Sequence, residues 1–295
     1  LFKAYGVASA DYDDKLDELG WVEGEVDPDF VDNLCDYMVT KSGKDDGTTS
    51  VEVADTINGA TASGIDSFAC NVQTLADGWA SIASGAQTEA YGMCSIATGM
   101  ENKTTGHATI VGGSGNEIKN SSYSILLGNN NSIEGGQSNL VYGYSNLVGT
   151  TSPDPSKLEN NAVFGSGHTL YKSGLVSVVN NFVAGSGHGI DGADSCVVAG
   201  KDNSIPSGYG CVVLGRGLST GNDLISATTI VGQYNDPQTM EANAKFIVGN
   251  GEDEDNLETV FQAGGHTDVG DGCFIQIGET KITETQLKAL LALLS

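Results

Sequence analysis

ADGWASIASGAQTEAYGMCSIATG, residues 76–99, places Gly78, Gly85, Gly92 and Gly99 at intervals of seven, and Gly64 and Gly106 continue the series on either side. Every second one of these glycines ends a short apolar run. That slot recurs along most of the chain, at Asn71, Gly85, Gly99, Gly113, Gly128, Gly143, Gly165, Gly185, Gly200, Gly215, Gly232 and Gly249. Steps of 14 to 17 residues dominate, with longer ones from Gly143 to Gly165 and from Gly165 to Gly185. Short-period self-similarity of this kind points to a solenoid, in which each coil rests on its neighbours instead of on a central core.

Runs of about five residues between breaks suit short strands, and glycine accepts the φ > 0 conformations of sharp corners. β-Branched and apolar residues fill the run before each slot: Ile96, Ile110 with Val111, Ile125 with Leu127, Val197 with Val198, Val212 with Val213. That composition favours strand over helix. Coils stacked about 4.8 Å apart would make a rod on the order of 50 Å long, its same-slot side chains forming ladders with the apolar ones inside.

Three residues past the slot stand Thr74, Thr88, Asn102, Asn116, Asn131, Asn146, His168, His188, Asn203 and Leu218. Asparagine and histidine can bridge to backbone groups at a corner or to the next rung, so a polar ladder is expected here. Two residues further on come Ala90, Ile118, Ile133, Val148, Leu170, Ile190 and Ile205, the expected core. His168 and His188 both follow Gly-Ser-Gly, and stacked histidines of an oligomer could hold a metal on an axis. They occupy the asparagine slot with no carboxylate or cysteine at matching spacing, so they are read as rungs; no metal and no cofactor is expected. Four residues before the slot, Ser81, Ser95, Thr109, Ser124, Asn139, Asn181, Cys196 and Cys211 read as small residues in a tight position. The alternative for the two cysteines is a disulfide across adjacent coils.

The 295 residues include 41 glycines and carry 38 acids against 13 bases, a formal charge of −25. A basic patch for nucleic acid or an anionic membrane is not available from that composition. No stretch approaches the ~20 apolar residues of a membrane span. The six cysteines show no CxxC spacing and no zinc-like grouping with the four histidines.

The units WASIASGAQTEAYG, CSIATGMENKTTG and YSILLGNNNSIEGG resemble the head repeats of trimeric autotransporter adhesins of the Yersinia adhesin type, which also occur in phage and prophage fibres. The resemblance covers roughly residues 57–249. It implies a left-handed parallel β-roll, three chains side by side, and a role in attachment. The insertions TTSPDPSKLEN and LYKSG depart from the repeat. FIVGNGEDEDN and FIQIGETKITETQLKALLALL resemble the ends of fibre-like prophage proteins, which favours a virion fibre of tail or capsid over a bacterial adhesin head.

The expected organisation has three parts: residues 1–56 as an N-terminal anchor into a larger virion assembly, 57–249 as the β-roll, and 250–295 as a strand module with a trimerising helix. In the first part, DPDFVDNLCDYMVTKSG reads as a helix capped by Asp27 and closed by Gly43, and Asp13–Leu19 as a weaker second one. In the last, Phe246–Val248, Thr259–Phe261 and Phe274–Ile277 read as strands. Thr283 and Gln286 form a capping box before Leu287, Leu290, Leu291 and Leu294, the expected inter-chain contact. The alternative is that this helix packs on its own roll. The acidic GEDEDN stretch lacks the pattern of an EF-hand loop and reads as a solvated tip.

No nucleophile elbow, HExxH or phosphate loop is present, and nothing selects a pair of acids for glycoside hydrolysis. The expectation is therefore a non-enzymatic homotrimeric fibre, with a bacterial adhesin head as the alternative and a glycan-degrading tail spike as the less favoured third. The longer segments near Pro153 to Asn160 and Tyr171 to Gly174, with Pro153, Asp154, Tyr171 and Lys172, are the expected loops touching a host surface glycan or protein.

Overall fold

Gly85, Gly99, Gly113, Gly128 and Gly143 lie directly over one another in consecutive parallel strands, and Gly165, Gly185, Gly200, Gly215, Gly232 and Gly249 continue the column. A computed structural model describes residues 40–44, 48–53, 59–150, 158–172, 177–221, 225–241, 243–265 and 273–294. The chain is mainly β, a solenoid of about eleven turns with one short C-terminal helix among the described residues.

The first sheet holds the glycine column. Its strands are five residues long, from Phe68–Val72 through Ile82–Ala86 and Ile110–Ser114 to Thr229–Gln233. A second parallel sheet stacks the short strands that follow each polar rung, from Thr61–Ala62 to Ser204–Ile205. In both, residues at the same slot pair in strict register, as the periodic sequence requires.

The glycine column has two independent causes. Gly85 to Gly232 all sit at φ between +102° and +154°, where a side chain is strained. A Cβ added at any of them would also lie within 2.2 Å of the carbonyl oxygen of the next glycine in the column. Asn71, which opens the column, has φ +75°, a conformation asparagine tolerates better than most residues.

Coil width changes along the rod. Between Ala60 and Ala97 the buried apolar side chains are alanines alone. From Val111 onwards it holds Ile118, Leu126, Ile133, Val141 and other large aliphatic side chains. The change coincides with one added residue per coil: the glycine spacing is 14 up to Gly113 and 15 from Gly113 to Gly128. In the narrow coils the corner opposite is filled by Gly64, Gly78, Gly92 and Gly106, where a Cβ would meet backbone of the adjacent coil within 2.2 Å. Once the coil widens the series becomes irregular: Ser121 takes the slot, Gly136 returns to it with a Cβ position 2.0 Å from Leu158 O, and Leu158 follows.

The two longest steps do not only lengthen loops. Leu158–Glu159, Val178–Val179, Ala193–Asp194, Gly208–Tyr209 and Ile225–Ser226 form a third parallel sheet. Leu158 and Val178 are fully buried, so these coils gain a third wall around a wider core. Leu158 is therefore core structure where the sequence suggests a loop, while Asn160 stays exposed.

Both ends of the first sheet are closed by antiparallel strands. Thr40–Lys44 pairs antiparallel with Thr48–Val53, whose Val51, Glu52 and Val53 pair in parallel with Phe68, Ala69 and Cys70. The helix expected to close at Gly43 is thus a strand over Thr40–Lys44; its earlier residues and Asp13–Leu19 lie outside the described residues. At the other end Ala244–Asn250, Thr259–Gly264, Phe274–Ile277 and Thr280–Thr283 form an antiparallel meander that ends the parallel stack. The terminal helix α1 (Glu284–Leu294) follows. The Thr283 backbone N–H donates to Gln286 Oε1 at 2.9 Å, and the Gln286 backbone N–H to Thr283 Oγ1 at 3.3 Å, the reciprocal pattern of a capping box.

Candidate functional site

Two polar ladders run through the interior. In the first, the backbone N–H of Asn116 donates to Oδ1 of Asn102 at 2.9 Å, and the same geometry links Asn131 to Asn116 and Asn146 to Asn131. Each amide nitrogen turns to the glycine column: Asn116 Nδ2 donates to Gly128 O at 2.8 Å, Asn131 to Gly143 O at 2.8 Å and Asn146 to Gly165 O at 2.9 Å. Every rung thus satisfies a buried backbone donor at the corner and adds a bond to a carbonyl of the glycine column.

His168 and His188 continue this ladder by different chemistry. The His168 N–H donates to Asn146 Oδ1 at 3.0 Å, the His188 N–H to His168 Nδ1 at 3.2 Å, and the Asn203 N–H to His188 Nδ1 at 3.1 Å. Nε2 of His168 lies 3.2 Å from Phe164 O, and Nε2 of His188 lies 3.0 Å from Ala184 O. An Nδ1 that accepts and an Nε2 beside a carbonyl define one tautomer, neutral with the proton on Nε2. Burial pushes both imidazoles below the usual histidine value, and for His168 the neighbouring His188 lowers it further. The rings stack with centroids 4.9 Å apart and planes 12° apart. The ladder ends where Leu218 N–H donates to Asn203 Oδ1 at 2.9 Å and offers nothing onward.

A second ladder occupies the slot read from sequence as merely small. Asn161 Nδ2 donates to Asn139 Oδ1 at 3.0 Å, Asn181 Nδ2 to Asn161 Oδ1 at 2.9 Å, and the Cys196 N–H to Asn181 Oδ1 at 2.9 Å. It serves the third sheet: Asn161 Nδ2 also donates to Val178 O and Asn181 Nδ2 to Ala193 O. The signal was present in Asn139, Asn161 and Asn181 at equivalent positions, but it was masked by the serines and cysteines that share the slot. Cys196 and Cys211 are buried reduced thiols on adjacent coils, not a disulfide, with Cys211 N–H donating to Cys196 Sγ at 3.4 Å. The hydrogen bond with Cys211, together with burial, pushes the Cys196 thiol up.

The outer surface is asymmetric. In the first sheet only alternate residues face the core: Val111, Val198 and Val213 are fully buried, while their neighbours Ile110, Val197 and Val212 face outward. The expectation that the apolar pairs lie inside therefore holds for one member of each adjacent pair and for neither Ile125 nor Leu127, which flank the buried Leu126, because successive strand residues point to opposite faces. The outward members form a register column of Phe68, Ile82, Ile96, Ile110, Ile125, Leu140, Ala162, Phe182, Val197, Val212, Thr229 and Phe246. Beside it, Leu127, Tyr142, Phe164, Ala184, Ala199, Leu214, Val231 and Val248 make a second column. The second sheet is unlike this: Glu89, Lys103 and Glu117 face outward in register, and Lys103 pairs with Glu89 at 2.5 Å.

Helix α1 contributes a further uncovered surface, since none of its residues is buried. Leu287, Leu290, Leu291 and Leu294 are 44%, 52%, 57% and 78% exposed. The helix therefore does not pack on its own roll. At its base a groove of about 300 Å³ is lined by Phe274, Ile275, Ile277, Ile282 and Leu287.

The other sequence candidates are placed differently. Pro153 and Asp154 lie outside the described residues. Tyr171 and Lys172 belong to the strand Thr169–Lys172, paired with Leu147–Thr150, and not to a loop. In the acidic stretch, Asp253 Oδ1 accepts the backbone N–H groups of Asp255 and Asn256 and Nδ2 of Asn256, which holds its carboxyl below the usual range. It closes its own loop. Among the described residues no three histidines, cysteines or acids converge as metal ligands. No protein-family model matches this chain, and no curated protein matches it in sequence.

Proposed function

We propose that the chain is a structural fibre protein of a phage particle, assembled as a homotrimer and mediating attachment to the host cell surface. The outward apolar column of the first sheet is the observation that carries this reading. Twelve rungs at about 4.8 Å extend over roughly 50 Å, and eleven of them are apolar. Contiguous apolar surface on that scale is unusual on a lone soluble chain and common where copies meet. A sheet apolar on both faces is ordinarily covered on both.

Second copies are the economical cover, because the repeat presents the same flat strip on every chain. The count of three, the left-handed winding and the attachment role rest on the resemblance to adhesin and fibre repeats. The exposed leucines of α1 extend the uncovered apolar surface to the C-terminal end. A helix of eleven residues is marginal alone, so an inter-chain bundle there supports the same assembly. Residues 1–56 would anchor the fibre in the particle, and the inserted segments 151–157, with Pro153 and Asp154, and 173–176, which follows Lys172, would contact a host glycan or protein. A stiff shaft presenting three copies of each contact turns weak binding into avidity.

The test is saturable binding of the labelled protein to whole host cells, repeated after exchange of 151–157 and 173–176 for glycine-serine segments. The proposal expects binding that is lost with the exchange while the assembly persists. Unchanged binding would remove those segments as the contact, and absence of binding across a broad panel of cells would count against attachment.

A further inference from the structure

We propose that His168 and His188 form an acid-sensitive latch in the middle of the roll: protonation at Nδ1 removes the acceptor for the next coil's backbone N–H, and the coils from Ala162 to Asn203 loosen before the rest of the stack.

The rung position is filled by asparagine in the coils on either side, at Asn131, Asn146 and Asn203. A carboxamide does not titrate near neutrality, so those rungs hold at any ordinary pH. In the two consecutive coils where imidazole replaces it, the ladder depends on a lone pair that a proton can take. The imidazolium ion has an N–H at both nitrogens. Protonated His168 would turn an N–H toward the His188 N–H that now donates to it over 3.2 Å, and protonated His188 would do the same to Asn203. Each event sets two donors against one another and leaves a backbone N–H unpaired in the core.

The surroundings do not relieve this. The rings are stacked face to face at 4.9 Å, so a second proton would put two cations in contact. The rungs on either side, Asn146 and Asn203, are neutral. At His188 burial opposes the cation most strongly, and the Ala184 carbonyl and then Asp202, on the turn beside Asn203, favour it. His168 has only the Phe164 and Gly185 carbonyls to favour its cation, against burial and His188. With both groups lowered from 6.5, the unfolded chain takes up protons first. The contribution to stability is complete above the unfolded value and is lost as pH falls toward the folded one.

The experiment is hydrogen exchange of the protein of residues 1–295, read by mass at pH 7.5 and 5.0 with correction for intrinsic rates. Peptides covering 162–205 are compared with peptides covering 82–113, which contain asparagine and threonine rungs only. The latch predicts that protection in 162–205 falls by about tenfold for each unit separating the folded and unfolded histidine values, while 82–113 is unchanged. In the double variant His168→Asn, His188→Asn, which restores the neighbouring rung chemistry, the two segments should respond alike. Equal pH responses of wild type and variant would overturn the proposal. Should the variant fail to fold, imidazole titration of the wild type by NMR decides: values below the free histidine value support the latch, and values at or above it overturn it.

Discussion

Asn131 places both its backbone N–H and its Nδ2 on Oδ1 of Asn116, at 2.9 Å and 3.0 Å, while its own Oδ1 receives Asn146 in the same way. One residue type thus joins three coils. Its amide also satisfies Gly143 O, so a single side chain supports the corner that the glycine column creates.

Removing such a rung should be costly. Asn131→Ala leaves the buried Asn146 N–H without its acceptor and removes the amide bond to the Gly143 carbonyl. The expected loss is about 3 kcal/mol, from the penalty on unpaired buried groups, read as a shift in urea midpoint at unchanged slope. A change within experimental error would mean that water or a shifted backbone replaces the rung.

The glycine column permits a sharper contrast. Gly128→Ala meets both obstacles, φ +120° and a Cβ 2.0 Å from Gly143 O. It should destabilise by about 3–5 kcal/mol or abolish folding. Gly189→Ala, where a Cβ meets nothing within 4 Å and no positive φ is required, should be neutral or slightly stabilising.

Much of this was legible. The glycine period sets the stacking, and the recurrence of asparagine three residues later marks the inner corner. What periodicity does not report is which way a strand residue faces. Ile110 and Val111 are equally apolar, and only alternation along the strand separates the buried one from the exposed one. The third sheet was hidden for a related reason: Leu158 and Val178 lie in segments whose irregular spacing reads as insertion, although they extend the core. The second ladder was obscured because serine, asparagine and cysteine alternate in one slot, and size is a weaker cue than the amide they share only in part.

Adjacent residues of opposite facing test the apolar strip. Val111→Asp buries a carboxylate in the core and should prevent folding, whereas Ile110→Asp leaves one coil's core intact. Ile110→Asp should keep the strand-type circular dichroism spectrum while weakening self-association by at least about tenfold, through like charges brought together in the interface. Retained association would move the interface off this sheet.

Thiol chemistry offers an independent check on the interior. Cys94 and Cys273 are exposed, and Cys196 and Cys211 are buried. Under native conditions a thiol reagent should label the first two within minutes and spare the second pair until denaturant is added. Rapid labelling of Cys196 in the native protein would show that the third wall of the roll is open.

In the proposed assembly sister copies cover the outward face of the first sheet. The mass in dilute native buffer, from sedimentation equilibrium, tests it most directly. The expected result is a species of three times the 30.4 kDa chain mass, persisting to submicromolar concentration. A stable monomer with an intact β spectrum would contradict it.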